Sequence, residues 1–186
     1  MSIKLITAPT VEILSLAEAK LALRKETDEE DALIATLISA ARLKAEHATG
    51  RAFGQQTREL IIDAFPEDEI LLPGTPVTSI VSVRYADIAG ATQTLDPSAY
   101  VLDGDYVPSC LIPAFGVAWP DTYDTANAVR VQYVCGHVAA DVPDAKLWMQ
   151  IDVCTQYAQR EGVSAGALVA TPRQAWDAYL DPYIIY

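Results

Sequence analysis

The 186 residues carry 25 acidic against 13 basic side chains, a formal net charge of −12, with 51% hydrophobic and 20% charged residues. A chain this acidic repels phosphate backbones, which argues against a protein that grips DNA or an acidic membrane surface, and its hydrophobic share excludes a disordered one. Folding hides roughly 70% of the surface of a chain this long, enough for one core or a main body with a smaller subdomain.

The opening stretch MSIKLITAPTVEILSLAEAK lacks the continuous apolar core of a signal peptide, and no run approaches the roughly 18 apolar residues of a membrane span. A soluble protein without a secretion signal is expected. Two helix starts follow. Ser15 with Glu18 matches the capping box, in which each side chain satisfies a backbone N–H of the other, and Thr27 with Glu30 repeats it. The first predicts a short helix over 16–25. The second predicts a long one over 28–49, with Leu33, Ile34, Leu37, Ile38, Ala41, Ala45 and Ala48 on one stripe.

HATGRAF, at 47–53, ends that stripe. Its Gly50 and Arg51 lack the spacing, the lysine and the preceding strand of a phosphate loop. Gly50 instead stands where a left-handed helix C-cap is expected, with His47 in the last turn suiting the helix dipole.

Beyond Arg51 the apolar period changes from helical to alternating, and the spans 57–65, 79–87, 99–103 and 128–136 read as strands, with a further short one near 110–112. Gly90 predicts a hairpin turn and Asp103-Gly104-Asp105 another. Most of the eleven prolines fall between these runs, as in a small, loop-rich antiparallel module. The helical period returns at Pro143, with Leu147, Trp148, Ile151, Cys154, Tyr157 and Ala158 on one broad apolar face, until Gly162. Small residues then form a linker, followed by a short helix and an extended aromatic tail.

The expected class is α+β: a helical body of two N-terminal helices, one long helix in the C-terminal half and a short terminal helix, with a small antiparallel β insertion. Residues 1–54 hold the N-terminal helices and 55–137 the β insertion. Residues 138–161 complete the helical body, and 162–186 are linker and docking segment.

Little in this pattern calls for chemistry. Cys110, Cys135 and Cys154 are odd in number and widely spaced, which suits reduced thiols rather than a disulfide framework or a zinc site. The acidic run 28–31 points its carboxylates in different directions on a helix and suits the positive end of the dipole better than a metal. DGDY at 103–106 lacks the remaining ligands of a calcium loop and reads as a turn. Cys135 and His137 are a conceivable nucleophile and base without an orienting acid, and a buried thiol beside a loop histidine is the simpler account. No cofactor and no metal are expected.

The tail is of another kind. Trp176, Tyr179, Leu180, Tyr183, Ile184, Ile185 and Tyr186 concentrate apolar surface at a chain end. They either cap the domain's own core or anchor an interface with another subunit.

The segments LSLAEAKLALR, DEEDALIATLISAARLKAEHATGRAF, PVTSIVSVRYAD, TLDPSAYVLD, NAVRVQYVCGHVAADVP and LDPY, spread over nearly the whole chain, resemble the head–tail adaptor (connector, head-completion) proteins of tailed phages and of phage-like gene transfer agents. His137 departs from the pattern, since an aromatic is more usual after that glycine. The resemblance implies a virion structural protein rather than an enzyme, with a β insertion in a helical body. It implies a ring of copies, expected to be a dodecamer, beneath the portal protein in the neck, assembled in the bacterial cytoplasm. Its partners would be the portal, a stopper or tail-completion protein and further copies of itself. DNA would pass through the ring without specific binding, and no membrane would be involved. The aromatic tail would then be the portal interface. The rival readings are another neck component, such as a stopper, and a small enzyme.

Overall fold

The computed structural model describes residues 1–159 and 174–185, which fall into two compact units. A β unit takes Met1–Thr10 and Gln55–His137, and a helical unit takes Val11–Gly54 and Val138–Tyr186. The class is α+β.

The strands of the β unit are β1 (Ser2–Thr7), β2 (Gln56–Ile62), β3 (Ile70–Leu71), β4 (Val77–Ala86), β5 (Thr92–Thr94), β6 (Tyr100–Asp103), β7 (Cys110–Pro113) and β8 (Val129–Cys135). Antiparallel neighbours make a five-stranded sheet in the order β1-β2-β8-β4-β5 and a three-stranded sheet in the order β3-β7-β6. Along β8, Val129, Val131, Tyr133 and Cys135 are buried and the residues between them half-buried, the period of two that a strand with one covered face requires. Tyr133 lies wholly in the core because its hydroxyl donates to the Pro73 carbonyl at 2.7 Å, and burial pushes its phenol pKa well above the usual value. The buried Glu59 of β2 is matched by two cations, Arg84 Nη2 of β4 at 3.1 Å and Arg130 Nη1 of β8 at 3.2 Å. Such pairing is what makes a buried carboxylate tolerable.

This unit departs from the sequence expectation in several places, among them β3, which no expected span covers. Residues 1–54 do not all belong to the helical body, because β1 pairs along β2 from Ser2 opposite Ile61 to Thr7 opposite Thr57. An edge strand of six residues is held by backbone hydrogen bonds to its neighbour, and its short alternation of Ile3, Lys4 and Leu5 is a weak local signal. The span 57–65 also ends early, at Ile62. The turns follow the acid and glycine pattern. Gly90 has φ +80° while Asp87 Oδ1 accepts from the Ala89 and Ala91 amides, and Asp103 Oδ1 accepts from Asp105 and Tyr106.

The helical unit contains α1 (Leu16–Leu23), α2 (Asp31–Thr49), α3 (Pro143–Ala158) and the short α4 (Gln174–Asp177). Ser15 and Glu18 close a full capping box, with Glu18 N donating to Ser15 Oγ at 3.3 Å and Ser15 N to Glu18 Oε2 at 3.0 Å. The second expected box does not form. α2 starts at Asp31 with no side-chain cap, because Glu30 is already engaged by Lys25 at 2.9 Å and by the Tyr157 hydroxyl. The acids around it serve α1: Lys20 Nζ lies 2.6 Å from Asp28 and 2.7 Å from Asp31.

Ile13, Leu14, Ile34, Ile38, Ala41, Ala45, Phe53, Ala145, Trp148, Met149 and Val153 are among the residues that build the core of this unit. The apolar stripes are narrower than expected. On α2, Leu33 is 39% exposed and Ala48 is exposed. On α3 the buried column runs through Ala145, Trp148, Met149 and Val153, which leaves Leu147 40% exposed and Ile151 and Cys154 half-buried. Tertiary contacts choose the column, and a helix that is apolar around more than half its girth offers two.

Candidate functional interface

The end of α2 and the C-terminal segment meet in one place. Thr49 Oγ1 donates to the Ala45 carbonyl at 2.8 Å, and Gly50 follows as C-cap at φ +74°, its amide donating to the Glu46 carbonyl at 2.9 Å. The left-handed turn sends the chain back over the helix end, so that Arg51 and Phe53 face the returning C-terminus. Arg51 Nε donates to the Tyr183 carbonyl at 2.6 Å, the Ile185 amide donates to the Thr49 carbonyl at 3.1 Å, and Phe53 and Tyr183 meet edge to face at 5.9 Å. The Ile185 side chain lies against Gly50, where a β carbon would come within 3.8 Å of it. Burial lowers the pKa of the Arg51 guanidinium and raises that of the Tyr183 phenol, which Asp144 raises further.

A second set of contacts holds the other end of the segment. Trp148 Nε1 of α3 donates to Asp177 Oδ1 at 3.0 Å, and Leu180 enters the core at 3% exposure with Trp176 and Tyr183 packed around it. Beneath the turn, a buried ion pair fixes the loop: Arg42 Nη1 lies 3.1 Å from Glu46 Oε1, and that same oxygen accepts from the Phe53 amide at 3.0 Å. Arg42 Nε also reaches Glu12 at 2.9 Å.

The structure therefore brings Trp176, Leu180, Tyr183, Ile184 and Ile185 onto the chain's own helical unit, and leaves Tyr179 38% exposed on the outer side of the segment. Tyr186 and the linker 162–171 lie outside the described residues. Thr49, Arg51, Trp148 and Asp177 complete the seat; the sequence pattern marks Trp148 only as part of an apolar helix face and Arg51 only as a rejected phosphate-loop residue, and it gives Thr49 and Asp177 no part in seating the tail. Arg51 directly after a cap glycine was the available signal, since a cation there stands free to bind whatever crosses the helix end.

Cys135 is fully buried on β8. Burial pushes the Cys110 and Cys154 thiols above their usual pKa, away from the thiolate that reacts. Among the described residues, no group of three or more His, Cys, Asp or Glu is placed to hold a metal, and no helix is long and apolar enough to cross a membrane.

No protein-family profile matches the chain, and no curated protein does. Solved structures do. The chain is similar to one in the neck of an empty gene transfer agent (GTA) particle computed with C6 symmetry, at 23% identity and a TM-score of 0.79, covering 100% of this chain and 96% of that one. A chain in the virion of a native GTA particle matches at 22% identity and TM-score 0.76, and one in the neck of a native GTA particle computed with C12 symmetry at 20% and 0.71, with the same coverage. These neighbours share the fold over its full length and are neck and virion components of gene transfer agent particles, consistent with the head–tail adaptor resemblance.

Proposed function

We propose that this chain is a structural protein of a virion neck, a head–tail adaptor of a tailed phage or gene transfer agent. The observation that carries the reading is the full-length likeness, at TM-score 0.79, to a chain of a GTA neck. In this reading the copies form a ring beneath the portal that extends the DNA channel and receives a stopper or tail-completion protein. The C6 and C12 symmetries of the neck structures are in keeping with a ring. The exposed Leu147 beside half-buried Ile151 and Cys154, and the exposed Leu33 and Leu43 of α2, offer apolar helix surface for neighbouring copies. The net charge of −12 suits a passage from which DNA slides rather than one that holds it.

Portal attachment falls to the C-terminal segment. Its inner side chains fasten it to the helical unit, and Tyr179 faces outward as the aromatic anchor. Particles assembled without this protein should fill with DNA and lack tails in electron micrographs. Tailed particles in its absence would refute the reading, and a complex with tail components but not with portal would favour the stopper.

A further inference from the structure

The β unit contains a cleft that the neck reading does not use. Its floor is a stacked pair, Phe65 and Trp119, with ring centroids 5.0 Å apart and planes 7° from parallel, and Tyr85 meets Phe65 edge-on at 5.6 Å. Pro66, Pro113 and Pro120 line the walls with Ile88, which is 74% exposed. The cleft is open to solvent and offers about 720 Å³, room for the side chains of a short segment laid across it.

This is a built surface although it lies in irregular chain. Trp119 is held by its stack and by Nε1, which donates to the Asp68 carbonyl at 2.8 Å. The segment carrying it is pinned to its surroundings by the Ala114 amide on the Ala99 carbonyl at 2.9 Å, the Tyr123 amide on the Ala86 carbonyl at 3.0 Å, and the Asn127 amide on Asp63 Oδ1 at 2.7 Å. Aromatic and proline side chains lose little freedom on binding, so a cleft made of them is preorganised.

The charge around it is one-sided. Glu67 and Asp121 line the cleft. None of the described side chains that line it is basic. An apolar floor inside an acidic rim selects a ligand that is apolar at its tip and positive at its flanks. A second copy of this chain, at −12, is a poor match, and so is a nucleic acid.

We propose that the cleft is a docking site for an extended segment of another protein that carries a leucine or proline between lysine or arginine residues. The apolar side chain packs on Phe65 and Trp119, and the flanking cations face Glu67 and Asp121, where a guanidinium also gains from the aromatic faces. The inference concerns a different surface from the C-terminal segment and stands whether or not the neck reading does.

The test is a titration of the ¹⁵N-labelled full chain with two synthetic peptides of equal length, a Leu-Pro core flanked by Lys and Arg, and the same core flanked by Glu. The basic peptide should shift the Trp119 indole resonance and the amides of 113–122 saturably, and the acidic one should not. Replacing Glu67 and Asp121 by Gln and Asn, at surface positions that leave the fold intact, should weaken binding roughly threefold to tenfold and flatten its salt dependence. Trp119→Ala should abolish the shifts in 113–117 and at Ile88. If that variant loses its dispersed spectrum, the carboxylate variant decides. The proposal is overturned if the basic peptide produces no saturable shift at the cleft at millimolar concentration, if both peptides bind alike, or if the carboxylate variant binds the basic peptide unchanged.

Discussion

Gly50 turns the chain at the end of α2, under the returning C-terminal segment. Its φ of +74° costs an L side chain about 1–2 kcal/mol, and the added β carbon would make ordinary contact with Ile185 rather than a clash. Gly50→Ala is therefore expected to destabilise the fold by about 1 kcal/mol and Gly50→Val by about 2, measured in urea melts. Glu18 offers a second test. The Lys146 ammonium, then the Ser15 hydroxyl and amide, lower its pKa from 4.5 to about 2. Because the folded value is depressed, the contribution is present above pH 4.5 and is lost as pH falls toward 2. Its side chain is 44% exposed, so solvent screening reduces the effect to about 0.5–1 kcal/mol. Glu18→Gln should be less stable than the parent by that amount at pH 7, and the difference should shrink as pH falls and vanish only once pH is below the folded value of about 2.

At the scale of elements, the C-terminal segment divides into a fastening side and a free side. Leu180→Ala removes a side chain 3% exposed in the helical core and should cost about 2–5 kcal/mol. Tyr179→Ala, on the outer side, should stay within about 0.5 kcal/mol of the parent in thermal melts while the protein no longer co-purifies with the portal protein that the proposed function assigns to it. Retained portal binding by a folded Tyr179→Ala protein would move the interface elsewhere. The loop under the segment depends on α2 through Arg42. Arg42→Ala leaves Glu46 buried without that cation and should cost about 3–5 kcal/mol, part of which Glu46→Gln recovers by removing the charge and keeping the acceptor for Phe53.

At the scale of the molecule, the chain passes between its two units at residues 10–11, 54–55 and 137–138, so the β unit is made of two separate stretches. Apolar surface left over on the helical unit is expected to drive association. Leu147→Asp should leave the thermal midpoint of the isolated protein within a few degrees of the parent and abolish ring formation in electron micrographs of portal complexes.

The sequence by itself determined the elements whose causes are local. Ser15 and Glu18 predict their capping box, Gly50 its left-handed turn, β8 its alternation and Asp103 its turn, because each signal lies within a few residues of its effect. Tertiary structure decided whatever depends on a distant partner. Thr27 and Glu30 have the spacing of a cap, yet Lys25 and Tyr157 take the glutamate. The apolar girth of α3 permits two buried columns, and packing chose the one through Trp148. The N-terminal strand exists through β2, more than fifty residues away, and the aromatic tail is seated by Thr49, Arg51 and Trp148. Hydrogen bonds and apolar contacts of that sequence separation have no periodicity to read, since only the closed chain brings their partners within reach.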